Sequence, residues 1–162
     1  MVSLDAGPEI GFSWRVAAID GTNRAWADSQ QRRAGFEDAV TAAGFSLVGT
    51  QSGQWETERA NAVAAGLRSE HPDLTGILCA NDSMALGSVA AIQAANRRGQ
   101  VLVVCFDNVA AIRPLIEDGR VIATADQHGD QLAVFGIEAA LEMLGGKGTP
   151  ADRTTAINLI KK

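Results

Sequence analysis

The segment GILCANDSMALGSVAAI, residues 76–92, reads as a strand, a turn and a helix in immediate succession. Ile77, Leu78 and Cys79 make a short apolar run of strand length, while Asn81 or Asp82 offers the side-chain oxygen that caps a helix start. Met84, Leu86, Val89 and Ile92 then mark the apolar positions of that helix, and Gly99 closes the loop behind it. A strand that feeds a helix and returns to another strand is the βαβ unit, the building block of parallel sheets.

The same alternation extends in both directions. Strand patterns occupy residues 15–19, 46–50, 76–80, 101–106, 121–125 and 154–160. Between them, Phe36, Ala39, Val40 and Ala43, and then Ala60, Val63, Ala64 and Leu67, recur at i, i+3, i+4 and i+7, so each helix has one core-facing stripe. Gly44 stands where a C′ glycine ends the first of these helices. This pattern predicts an α/β fold with a doubly wound, mostly parallel, flavodoxin-like sheet. The helix at residues 131–144 is different, because it carries two stripes: Leu132, Phe135, Ala139 and Met143, and also Val134, Ile137, Leu141 and Leu144. Such a helix calls for cover on two sides.

Composition narrows the functional classes. The 162 residues are 46% apolar and 20% charged, the profile of one soluble globular domain, and the net charge of −5 argues against nucleic acid or an anionic membrane as partner. No run approaches the ~20 apolar residues of a membrane helix, and residues 1–14 lack a charged segment leading into an apolar one, so no secretory signal is expected in this chain. Cys79 and Cys105 read as buried apolar side chains, and neither His71 nor His128 has partners at metal-ligand spacing, so no metal is expected. There is no G-x-G-x-x-G turn, no phosphate loop and no G-x-S-x-G elbow, and Gly146-Lys147-Gly148 follows a helix instead of preceding one. These readings point away from an enzyme, and from a cofactor.

In a doubly wound sheet, ligands sit beyond the carboxyl ends of the strands. The polar yield there is high: Gly21-Thr22-Asn23 followed by Trp26, Asp28 and Arg32, then Gln51 and Trp55, Asn81-Asp82, Asp107-Asn108, and Asp126-Gln127. A sugar hydroxyl both donates and accepts, so planar side chains with two hydrogen-bonding atoms suit it, and Trp55 offers a plate for the C–H face of the ring. The competing local roles are plain too. Asn81 and Asp107 could act as caps, Arg32 could pair with Asp28 at i, i+4, Trp55 could lid the core and Trp26 could lie on the surface.

Four segments carry a resemblance. Residues 32–36 (RRAGF), 80–87 (ANDSMALG), 103–108 (VVCFDN) and 119–127 (GRVIATADQ) resemble, in order, the signatures of ribose- and galactose-type periplasmic binding proteins. The resemblance covers residues 15–162 and implies a carbohydrate-binding component of a sugar ABC transporter, working in the periplasm with a transporter permease as partner. By the same resemblance Arg32, Trp55, Asn81, Asp107 and Gln127 occupy sugar-contact positions of the second lobe. Trp55, where ribose binders usually carry Phe, and Asp28 look more like the glucose/galactose branch, which implies a pyranose or a cyclitol.

The family is about twice as long as this chain, so the resemblance implies that the first lobe is absent here. Residues 1–14 would be a non-family segment, 15–127 the second lobe, and 128–162 the hinge, a helix that normally packs on the first lobe, and a final strand. Without that lobe, the helix at 131–144 is expected to drive self-association. A sugar-responsive repressor's effector domain is the nearest alternative, but no helix-turn-helix precedes residue 15, and Gln127 and the Pro-free loop 96–100 favour the transport branch. A flavodoxin-like enzyme or phosphoacceptor domain is the second alternative, but a phosphoacceptor would need a lysine facing clustered carboxylates, whereas Lys147, Lys161 and Lys162 are all C-terminal; a fragment with no ligand is the third.

Overall fold

The computed structural model describes residues 14–21 and 27–162. The elements run β1 (Arg15–Asp20), α1 (Ala27–Ala42), β2 (Ser46–Ser52), α2 (Thr57–Glu70), β3 (Gly76–Cys79), α3 (Asp82–Ala94), β4 (Leu102–Phe106), α4 (Arg113–Glu117), β5 (Ala123–Asp126), α5 (Gly129–Leu144) and β6 (Asn158–Lys161), with a 3-10 turn, Ala110–Ile112, leading into α4. They form one sheet in the order β2-β1-β3-β4-β5-β6. The first five strands are parallel and β6 is antiparallel to β5. The expected α/β architecture is therefore present.

From β1 the chain winds one way to β2, then crosses back to β3 and continues the other way through β5. In open α/β sheets ligands bind beyond the carboxyl ends of the strands at such a reversal, which here falls between β1 and β3. In β1, Val16, Ala17, Ala18 and Ile19 are all buried, as expected of a central parallel strand covered on both faces. Leu67, Leu74, Ile77, Met84, Val103, Ile112 and Val121 complete the interior around it.

Helices α2 and α3 are drawn together at Gly87. A Cβ there would lie 2.0 Å from the Thr57 carbonyl oxygen, so only glycine permits the approach. Asn61 Nδ2 donates to the Gly87 carbonyl at 3.0 Å and Thr57 Oγ1 to the Ser83 carbonyl at 3.0 Å, which satisfies polar groups in the seam. The glycine of the ANDSMALG segment is thus a packing residue, and α3 buries eight of its thirteen positions, Asp82 among them.

Three expectations need correction. The α1 stripe is buried only at Val40 and partly at Phe36, whereas Ala39 and Ala43 are exposed. The seam instead runs through Ser29, Arg32, Arg33, Phe36 and Val40, because the N-terminal half of α1 faces the polar strand ends rather than the core. The last strand begins at Asn158, not residue 154, and Thr155 Oγ1 donates instead to the Gln127 carbonyl at 2.6 Å. That bond ties the approach segment down without a ladder. Strands β4 and β5 also begin one and two residues later than the apolar runs predicted, the runs starting in the preceding turns.

Helix α5 has no buried residue along its length. Its first stripe is partly covered where Arg153 stacks on Phe135 at 3.6 Å and pairs with Glu138, but Leu141 and Leu144 on the second stripe are 63% and 85% exposed. Among the described residues, no helix is long and apolar enough to cross a membrane.

Candidate ligand-binding site

The loop after β2 places Trp55. Gly53 N–H donates to the Asp20 carbonyl, Ser52 Oγ donates to the Gly21 carbonyl, and Gln54 and Trp55 both take positive φ angles, 54° and 59°. Left-handed backbone at a bulky residue costs of order 1–3 kcal/mol and persists only where the surroundings enforce it. The effect is to lay the indole across the end of β1. A Cβ on Gly21 would fall 2.1 Å from Trp55 Cε2 and Cζ2, so glycine at that strand end leaves room for the ring. The indole is half-buried, and its buried Nε1 has no hydrogen-bond partner among the described residues.

Arg32 reaches the same place from α1. Its guanidinium lies 4.0 Å from the Phe106 ring centroid and 5.5 Å from that of Trp55, donates to the Ala80 carbonyl at 2.5 Å, and stands 3.6 Å from Asp107 Oδ1. A planar, delocalised cation suits a stack on aromatic faces while its edge donates. Because Ala80 ends the turn into α3, the bond also fixes the arginine beside Asn81. Asn81 is the N-cap of α3, with Oδ1 accepting the Met84 N–H at 2.8 Å, so its capping role is real and its Nδ2 remains for another partner.

Asp107 and Gln127 close the far side. Gln127 Nε2 donates to Asp107 Oδ1 at 3.0 Å, and burial pushes the Asp107 carboxyl up to about 6, against the pull of the Arg32 charge. Beyond them, Asp126 accepts Asn108 Nδ2 at 2.9 Å and the His128 N–H at 2.8 Å, bonds that hold its carboxyl below the usual range. His128 itself takes a left-handed φ of 56° at the entrance to α5.

Arg32, Trp55, Asn81, Asp107 and Gln127 therefore converge at the carboxyl ends of the strands. Trp26 lies outside the described residues, and Asp28 falls in the first turn of α1 with its side chain outside them. Phe106 is the participant that the sequence reading passed over. Its signal was the alternation in β4, where Val103 and Cys105 are buried on one face and Leu102, Val104 and Phe106 are half-buried on the other. A guanidinium set against two aromatic rings, with a carboxylate and two carboxamides at the same strand ends, can grip a ring that carries several hydroxyls. Among the described residues, no group of three or more His, Cys, Asp or Glu side chains could hold a metal.

The family model described as periplasmic binding protein domain matches residues 11–148. The D-ribose/D-allose-binding protein of Pseudomonas aeruginosa is 51% identical over 144 residues, which cover 89% of this chain and 43% of that protein. A solved ABC transporter solute binding protein from Burkholderia multivorans superposes with a TM-score of 0.86 at 43% identity, over 92% of this chain and 53% of that one. An ABC transporter periplasmic solute binding protein from Actinobacillus succinogenes, with bound D-allose, gives 0.85 at 28% identity, over 93% and 53%. The chain spans about half the length of the proteins it matches.

Proposed function

The chain belongs to the periplasmic binding protein domain family, and from that premise we propose that it forms one wall of a monosaccharide site in the solute-binding component of a sugar ABC transporter. The ligand class is a sugar in its ring form, a pyranose or a cyclitol of similar shape, with D-allose and D-ribose the first candidates because they name the ligands of the relative sharing half its residues. The observation that carries the reading is the Arg32 node. One guanidinium is stacked by Phe106 and Trp55 while bonded to the strand end and set against Asp107.

In this reading Trp55 supports the C–H face of the sugar. Arg32 and Asn81 donate to ring and hydroxyl oxygens, Asp107 accepts from hydroxyls, and Gln127 does both. Trp26 and Asp28 remain candidate contacts. Residues 15–127 act as the second lobe and 128–162 as hinge, helix and final strand, a division supported by the left-handed turn at His128 and the uncovered α5. A first lobe would supply the opposing wall, the permease would be the partner of the whole two-lobed protein, and its place of action would be the periplasm. The effector domain of a repressor finds no support among the relatives described.

Titration of the isotope-labelled chain with D-allose, D-ribose, D-galactose and myo-inositol tests the reading. Amide and side-chain resonances of Arg32, Trp55, Asn81, Phe106, Asp107 and Gln127 shift with at least one sugar if it holds. Shifts confined to other surfaces, or none at molar sugar, would refute it.

A further inference from the structure

We propose that Asp82 is a positioning residue of this site: its buried carboxylate, with Thr124, pins the corner Asp107-Asn108-Val109 so that the Asp107 side chain faces Arg32 and Gln127. The inference rests on the sugar-site reading for its purpose, but the pinning itself is a matter of backbone geometry. Asp107 and Asn108 both take positive φ angles, 118° and 59°, a pairing that L-residues adopt only when held.

Three successive amides do the holding. Asp107 N–H donates to the Ala125 carbonyl at 2.8 Å, Asn108 N–H to Thr124 Oγ1 at 3.2 Å, and Val109 N–H to Asp82 Oδ2 at 2.8 Å. Thr124 in turn donates its hydroxyl to Asp82 Oδ1 at 2.7 Å, and both Asp82 and Thr124 are completely buried.

The chemistry explains why this position is Asp. The Val109 amide can only donate and a carboxylate can only accept, so the Thr124 hydroxyl is the donor in its bond to Asp82. Both Asp82 oxygens therefore meet donors, and of side chains this size only a carboxylate offers two acceptors. Its charge sits in the first turn of α3, where the helix dipole favours an anion. Asparagine must turn its N–H2 toward one of these donors: toward Val109 that amide loses its bond, and toward Thr124 the buried hydroxyl's hydrogen loses its acceptor.

The test compares wild type with Asp82→Asn, Thr124→Val and Thr124→Ser, by amide exchange and proton shifts at Asn108 and Val109 and by D-allose titration. Expected are amide exchange about tenfold or more faster and an upfield Val109 amide proton in Asp82→Asn, and faster exchange at Asn108 in Thr124→Val. The dissociation constant for D-allose rises about tenfold in both, and Thr124→Ser restores wild-type behaviour. If Asp82→Asn fails to fold, the Thr124 pair decides alone. Unchanged exchange in the variants, with sugar binding intact, overturns the inference. A corner that loosens as expected in a chain that binds no sugar upholds the pinning and overturns the sugar reading.

Discussion

The Arg32 guanidinium lies 4.0 Å from the Phe106 ring centroid, so the cation that would grip a ligand is itself stacked on the last side chain of β4. A lysine cannot reproduce that stack or the simultaneous bond to the Ala80 carbonyl, since its charge is a point on a flexible stem. Arg32→Lys is expected to keep the fold and weaken sugar binding by about tenfold, the worth of one charge-assisted contact. Equal affinity in Arg32→Lys, measured by the same titration, would remove Arg32 from the site.

Asp107 sets a pH dependence. Burial raises its carboxyl to about 6, the Arg32 charge opposes the rise, Asp82's charge adds to it and the Gln127 bond opposes it. Since the folded-state value exceeds that of the unfolded chain, its stabilising contribution is complete below about pH 4 and is lost as pH rises through about 6. Wild type should therefore lose stability relative to Asp107→Asn between about pH 4 and about pH 7 in urea denaturation. Sugar binding should run the other way, strengthening above about pH 6 as the carboxylate becomes a full acceptor. A stability gap that widens in favour of wild type as pH rises would contradict this.

The thiols should be inert. Burial pushes Cys79 up to about 12 and Cys105 in the same direction, and the two side chains are 0% and 6% exposed. Because the thiolate is the reactive species, neither should label with a thiol reagent in the folded chain, and both should label in denaturant. Rapid labelling under native conditions would show that β3 and β4 open.

Helix α5 should bring copies together. Ile137, Leu141 and Leu144 stand exposed in one stripe, and apolar faces of that extent find cover in solution. Light scattering should show mass rising with concentration, and Leu141→Glu should lower it while leaving the helix signal unchanged. A monomer at high concentration with α5 still helical would contradict the expectation.

Much of the candidate site was readable from residue order because a parallel sheet puts ligand-facing residues in the turns that follow its strands. Trp55, Asn81, Asp107 and Gln127 all stand in or beside such turns. Phe106 was not, since it belongs to the strand itself and shows its role only through the face it shares with Leu102 and Val104. Asp82 was legible as a possible cap and as part of the polar strand-end rim, but not as the clamp of another loop. Its partners Val109 and Thr124 lie 27 and 42 residues away, and no local pattern announces bonds of that separation. The α1 stripe misled because Ala39 and Ala43 fit a helical period yet stand exposed, while Arg32 and Arg33 occupy the seam.

The most direct measurement is D-allose titration of the chain beside Trp55→Ala. In an intact two-lobed site of about micromolar affinity, roughly −8 kcal/mol, one wall retaining half would leave about −4 kcal/mol, a millimolar dissociation constant. Water competing for the open polar contacts would weaken it further. The account predicts millimolar or weaker binding in wild type, with resonance shifts around Arg32 and Asp107, and loss of about tenfold or more in Trp55→Ala. Micromolar binding by this chain alone, or binding indifferent to removal of the Trp55 ring, would contradict it.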